Sequence, residues 1–329
     1  MKRVYLKPRA TYRTVLHSDT LFGCVCWAIR EVFSEAKLVE LLQEFASENP
    51  PFLLSSAFPF RNNASDGRTH FYPRPMLMPT ELEMPKDADG VKRQVDEAEK
   101  QKKFRKVKWI TEETLSKFTS GAWDERDYYA SGIWNTEGPK EKALEVQHNT
   151  INRLSGGTGT TPSTGLYSLT EYAISDGGLF FLLDGETDVV EGAFGFLEHF
   201  GIGGDSSLEK GQFEIEVTDA DLSAVLEDAD RFMTLSLYAP RESEMATVRS
   251  DGAWYNLVVR KGKVGGPFLR VENFWKKSLT MFAEGSTFPM TEQKPFGHNP
   301  IVKGTADGLP FDVRHYGYAF QIHLKTKEA

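Results

Sequence analysis

At 329 residues the chain has room for two ordinary domains, and 40% hydrophobic with 26% charged residues describes a folded protein with a core. Its formal net charge of −8 excludes a protein that coats nucleic acid over its whole surface, though not a local site. The only cysteines, Cys24 and Cys26, give neither a disulfide framework nor a zinc site; no apolar run approaches a bilayer span, and Met1-Lys2-Arg3-Val4-Tyr5 is no signal peptide, so a cytoplasmic protein without membrane contact is expected.

In chain order, Val4-Tyr5-Leu6 predicts a first strand. His17-Ser18-Asp19-Thr20 then precedes Leu21, Val25, Ile29 and Val32 at helical spacing, with Ser18 or Asp19 as the cap. His, Ser and Asp in a row are not a catalytic triad, because neighbours at a helix start point in different directions. Leu38, Leu41, Leu42 and Phe45 mark a second helix, stopped by Asn49-Pro50-Pro51, and Phe52 to Phe60 reads as extended. From about Thr80 to Gln147 the sequence turns charged and irregular, with Trp109, Trp123 and Trp134 among polar residues. This predicts a long insertion, partly helical around Val91 to Phe104. Basic residues gather from Lys100 to Lys108 and again at Arg260, Lys261, Lys263 and Arg270; runs of this kind ordinarily make a solvated face.

Leu166 to Ile174 and Gly178 to Asp184 predict two strands with Asp176-Gly177 as the turn between them. Asp188 and Glu191 form an N-cap and N3 pair for a helix running to Phe200. After it comes Gly201-Ile202-Gly203-Gly204-Asp205-Ser206-Ser207-Leu208-Glu209-Lys210-Gly211, then a strand from Phe213 to Val217. Strand, helix, strands, helix, glycine loop, strand is the βαββαβ order of a ferredoxin-like fold with an insertion after its first helix. A second unit begins near Asp219, with a short helix or turn at Asp221 to Leu226. It continues as strands at Met233 to Tyr238 and Trp254 to Arg260, and ends in a strand-like run from Tyr316 to Leu324.

The glycine loop follows a helix and opens a strand, so it is not a dinucleotide-binding fingerprint, and it lacks the Lys-Ser/Thr ending of a P-loop. With so few side chains its backbone N–H groups lie open, and its glycines can take the positive φ of a concave turn. Such a loop suits a polyanion. The alternative is a glycine cap running into a loose turn.

Seven motifs resemble, in the same order along nearly the whole chain, the Csm4-type RAMP subunits of type III-A CRISPR (Csm) effector complexes. They are His17-Ser18-Asp19-Thr20-Leu21-Phe22-Gly23, Ser55-Ser56-Ala57-Phe58-Pro59-Phe60, Tyr72-Pro73-Arg74-Pro75, Asn152-Arg153-Leu154-Ser155, the glycine loop, Glu284-Gly285-Ser286 and Tyr316-Gly317-Tyr318-Ala319-Phe320. The resemblance implies an α+β protein of two ferredoxin-like, RRM-related RAMP domains, 1–218 with the insertion at about 80–147, and 219–329. It implies a non-catalytic subunit, without metal or cofactor, that holds the 5′ handle of the crRNA. Its partners would be the large polymerase/cyclase-domain subunit and the backbone RAMP subunit. Carried over to this chain, the RNA-binding residues would be Gly203, Gly204, Ser206, Ser207, Lys210 and Gly211, with His17 and Ser18 beside them and Arg153 nearby. The loop departs from the family in carrying Asp205 and Glu209, which makes it less cationic. RAMP proteins also include guide-RNA processing endoribonucleases, so the competing reading makes His17 a general base on a ribose 2′-hydroxyl.

Overall fold

The computed structural model describes the chain except residues 65, 66, 79–89, 137, 159–164, 221, 223–227, 265–273, 292–295, 308, 310, 328 and 329, and the side chains of 90–94 and 306. The first half runs β1 (Lys2–Pro8), α1 (Ser18–Val32), α2 (Glu35–Ala46), β2 (Phe52–Leu54), β3 (Phe58–Asn62) and β4 (Arg68–Pro73). The insertion supplies α3 (Gly90–Phe104), β5 (Trp109–Thr111), α4 (Glu112–Thr119), α5 (Glu125–Ser131) and β6 (Glu141–Asn149). Then follow β7 (Leu166–Ile174), β8 (Gly178–Gly185), α6 (Asp188–Gly192), α7 (Phe194–Phe200) and β9 (Phe213–Asp219).

The main sheet has the order β5-β4-β3-β8-β1-β9, with β2 also on β8, and its pairings are antiparallel. β8 is buried from Gly178 through Leu179-Phe180-Phe181-Leu182-Leu183, because both faces of the sheet are covered there. Strand alternation sorts its residues. Leu179, Phe181 and Leu183, with Val4 and Leu6 of β1, face a core built with Leu21, Val25 and Ile29 of α1 and Leu197 of α7. Phe180, Leu182 and Tyr5 face the other way, onto Phe104, Ile110, Leu115, Phe118, Tyr128 and Trp134 of the insertion. At about 2 kcal/mol per fully buried large apolar side chain, those residues make the insertion a lid on the second sheet face and part of the core.

In the second half β10 (Arg231–Thr234) lies between β13 (Thr287–Pro289) and β16 (Gln321–Leu324). Two ribbons flank this sheet: β11 (Leu257–Arg260) on β12 (Leu279–Phe282), and β14 (Ile301–Lys303) on β15 (Val313–Arg314). The one α-helix among its described residues is α8 (Met245–Val248). This half shares both cores with the first. Met233, Leu235, Phe320 and Ile322 join the insertion side. Tyr316 and Tyr318 enter the α1–α2 side, where the Tyr318 hydroxyl donates to Phe45 O at 2.8 Å and the Tyr316 hydroxyl accepts the Leu54 N–H at 2.9 Å.

Several local expectations change. The helix from Asp188 to Phe200 breaks at Ala193 into α6 and α7, and its cap is Thr187, one residue earlier, whose hydroxyl donates to Glu191 at 2.6 Å. α1 starts at Ser18 with His17 at its cap position and no side-chain cap, since Ser18 and Asp19 are engaged elsewhere. β7 does not pair with β8 across Asp176-Gly177. It pairs over its whole length with β6, a strand the sequence reading left inside the irregular insertion. The segment Asp221 to Leu226, apart from Leu222, lies outside the described residues.

Candidate nucleic-acid interface

The glycine loop is closed at its base and laid along the segment Thr11 to Leu16. Gly201 N–H donates to Leu197 O at 2.8 Å, ending α7, and Ile202 N–H donates to Gly211 O at 2.8 Å. Gly211 N–H in turn donates to Thr11 O at 2.9 Å, and Gly204 N–H to the Thr14 hydroxyl at 3.1 Å. The Gly203 backbone faces the Cys24 thiol. Gly211 has no substitute: its φ is +68°, and a Cβ there would lie 2.1 Å from Ile202 O.

At the top of the loop Ser206–Leu208 form a single 3-10 turn, bracketed by Asp205 and Glu209, both in the left-handed region at φ 60° and 61°. Non-glycine residues there store strain, which the loop offsets with turn hydrogen bonds from Leu208, Glu209 and Lys210 N–H. The N–H groups of Asp205, Ser206 and Ser207 and the two serine hydroxyls have no partner among the described residues. Ser207 is exposed, Ser206 half-buried. Three successive N–H donors and two hydroxyls on one turn are groups that an anionic oxygen can accept from.

The charges around this turn differ from the sequence expectation. Asp205 is not a free negative charge, because the Arg13 guanidinium is hydrogen-bonded to its carboxylate. Lys210 is not a free positive one. Its Nζ lies 2.8 Å from Glu171 Oε2 and 3.0 Å from the Thr11 hydroxyl. Burial pushes the Glu171 carboxyl up, but hydrogen bonds from Lys210 and Thr11 overcome this and hold it below the ordinary carboxylate range. Glu209 is exposed.

His17 follows directly on the segment that lines the loop, and its Nδ1 sits 2.7 Å from Glu284 Oε1. Ser18 is wholly buried, and its hydroxyl accepts the Leu237 N–H at 3.0 Å, which fixes the two halves together. Arg153 lies beyond the far end of the β6–β7 arm, whose base is held to the body by the Tyr12–Tyr172 bridge and by the Tyr12 hydroxyl on Glu141. From Ala143, opposite Tyr172, to Asn149 the strand spans about 20 Å, so Arg153 is not brought to the loop.

Thr11, Arg13 and Thr14 were missed, since in sequence they only continue a loose strand; the turn residues they serve are 190 positions away or more. A second polar cluster was also missed. Arg260 grips Asp19 with Nε at 2.8 Å and Nη2 at 3.0 Å, and His315 Nε2 lies 2.8 Å from the same carboxylate. Burial pushes both cysteine thiols up, so neither offers a thiolate nucleophile. No group of His, Cys, Asp and Glu able to hold a metal ion occurs among the described residues.

Residues 227–324 match the family model of the CRISPR Csm4 C-terminal domain. The chain is 26% identical over 336 residues to the CRISPR system Cms protein Csm4 of Thermococcus onnurineus, covering 99% of this chain and 97% of the relative. It is 22% identical over 279 residues to the protein of the same name from Streptococcus thermophilus, covering 83% and 81%. Its fold is similar to a chain of the Csm3-Csm4 subcomplex of the type III-A CRISPR-Cas interference complex, at a TM-score of 0.64 with 14% identity over 99% of this chain and 100% of that one. It is also similar to a chain of a Csm1-Csm4 cassette crystallised with pppApA, at 0.60 with 19% identity over 100% and 99%.

Proposed function

The chain is a Csm4-type RAMP subunit, and from that premise we propose that it is the non-catalytic crRNA-binding subunit of a type III-A Csm complex in the cytoplasm. It holds the 5′ handle of the guide RNA at the glycine loop and joins the large polymerase-domain subunit to the backbone RAMP subunit. Similar chains crystallised as a Csm1-Csm4 cassette and a Csm3-Csm4 subcomplex support the two protein partners. We read the halves as two ferredoxin-like units, 1–218 and 219–329. In the first, the order β9-β1-β8-β3 with α1 and α7 on one face supports this; in the second, the antiparallel sheet β13-β10-β16 does.

The observation that carries the RNA reading is the turn at Asp205, Ser206 and Ser207, whose N–H groups have no partner among the described residues and whose one acidic side chain is neutralised by Arg13. Phosphate oxygens can accept from these N–H and O–H donors without desolvating a competing charge. Lys210 then acts by positioning, bracing the loop against Glu171. The test is titration of a labelled RNA carrying the repeat-derived handle with wild type and with a Ser206→Glu/Ser207→Glu variant. Two carboxylates at the turn are expected to weaken binding more than tenfold; an unchanged affinity would remove the loop from the site.

The endoribonuclease reading has one observation in its favour, the Glu284 carboxylate that orients the His17 ring. That pair serves equally as a structural tie, and the two roles separate in a cleavage assay described below.

A further inference from the structure

We propose that the ribbon β11–β12 carries a second nucleic-acid contact, separate from the glycine loop, which stacks unpaired bases of a single strand on Trp275 and Phe274 and holds their phosphates with Lys261 and Lys263. The ribbon extends beyond its regular strands: Lys263 bridges Trp275, Val264 N–H donates to Phe274 O at 2.8 Å, and Lys276 N–H to Gly262 O at 2.9 Å. It is anchored below by buried Met281 and Phe282. Arg260 on Asp19 holds it from the side, as does the Lys303 ammonium, which donates to Trp275 O at 3.2 Å. The aromatic pair therefore stands on a fixed platform.

Strand alternation puts Leu257, Val259, Lys261 and Lys263 on one face, and the two aliphatic residues there are 58% and 65% exposed. Trp275 and Phe274 are 45% and 42% exposed, their ring centres 5.4 Å apart. The Lys261 ammonium lies 5.4 Å from the Trp275 ring centre; that of Lys263 lies 5.1 Å from the same ring and 5.2 Å from Phe274. Neither lysine meets a carboxylate among the described residues; 257–264 and 274–280 contain no Asp or Glu, and the connecting residues 265–273 contain Arg270 and Glu272. In a chain of net charge −8, a stretch with this excess of cations is a local exception.

Large exposed aromatics normally collapse onto the body. Here the Lys261 and Lys263 ammonium groups lie over the Trp275 ring, and that of Lys263 over Phe274 as well, which keeps two positive charges beside half-exposed rings. Half-exposed rings beside ammonium groups that meet no carboxylate among the described residues are what an unpaired strand recognises, because every base has a π-face and every nucleotide a phosphate. A duplex hides its base faces and cannot use the rings.

The test uses the full chain, titrated with a fluorescein-labelled single-stranded oligouridine that lacks the handle sequence. A single-stranded oligothymidine and an RNA duplex of equal length run beside it. Wild type is expected to bind both single strands, and the duplex more weakly. Trp275→Ala is expected to weaken single-strand binding about tenfold. Lys261→Glu/Lys263→Glu is expected to reduce the dependence of log affinity on log salt by about 1.4. Circular dichroism reports whether each variant is folded, and Trp275→Phe, which keeps a ring, is expected to restore most of the affinity. Trp275→Ala is expected to weaken oligouridine binding about tenfold in the wild-type and in the Ser206→Glu/Ser207→Glu background alike, so the two sites fail independently. The proposal is overturned if wild type ignores single strands, if Trp275→Ala binds them as wild type does, or if Trp275→Ala loses only co-purification with protein subunits, which would make the ribbon a protein interface.

Discussion

His17 Nδ1 and Glu284 Oε1 lie 2.7 Å apart across 267 residues of sequence, tying the start of the first helix to a turn of the second half. The Ser56 hydroxyl donates to the same oxygen, so one carboxylate fastens three segments. Burial pushes the Glu284 carboxyl up, and the imidazole and hydroxyl bring it below the ordinary range. Removing the imidazole leaves a nearly buried carboxylate short of its partner. His17→Ala is expected to lose about 2 kcal/mol in urea unfolding. Incubated with repeat RNA and no metal, it should yield the same cleavage pattern as wild type; a wild-type cut that vanishes in His17→Ala would make His17 a general base.

Asp19, 5% exposed in its side chain, faces Arg260, His315 and the half-buried Lys276. Burial raises its pKa, but the His315 and Arg260 hydrogen bonds outweigh this and depress it far below the ordinary carboxylate value. A carboxylate depressed in the folded state contributes stability above its unfolded pKa, about 4, and loses that contribution as the pH falls from there toward the folded value. Asp19→Asn is therefore expected to cost about 3 kcal/mol at pH 7 and progressively less below about pH 4. Denaturant midpoints at pH 7 and pH 3 check this, and an equal loss at both would contradict it.

Lys210 should behave unlike a phosphate ligand. Lys210→Met strands the buried Glu171 carboxylate, so stability is expected to fall by about 2 kcal/mol. The salt dependence of handle binding should stay the same, where losing a phosphate contact would reduce it by about 0.7. The two measurements on one variant separate bracing from direct contact.

Gly211→Ala must move the backbone, because its Cβ would meet Ile202 O and its φ is positive. The expected loss is about 2 kcal/mol or more, with handle affinity falling further than stability explains. Wild-type handle affinity in a folded Gly211→Ala protein would show that the turn does not need this closure.

Which features could be read from sequence follows from how local their causes are. α1 and α2 were legible because Leu21, Val25 and Ile29, or Leu41 and Phe45, repeat at helical spacing on one buried face. β6 was not, since Glu141 to Asn149 stand in a two-stranded arm with no buried face to impose alternation. Gly177 signalled a turn, yet its positive φ serves a close approach to Phe60 O, while β7 departs to pair with β6. At the candidate site the turn itself was visible in its glycines and serines. Its charge was not, because Arg13 and Glu171 reach Asp205 and Lys210 only after folding. Ser18 looked like a surface hydroxyl for the same reason: its partner, the Leu237 N–H, is 219 residues away.

The hydroxyls of Tyr316 and Tyr318, seated against Leu54 and Phe45, also set the timing of folding during synthesis. The α1–α2 layer cannot seal until the segment carrying those two tyrosines has left the ribosome. Until then Phe22 and Phe45, which pack on Tyr316, stay uncovered. The nascent chain must hold an open aromatic cleft until Tyr316, 262 residues after Leu54, arrives to close it.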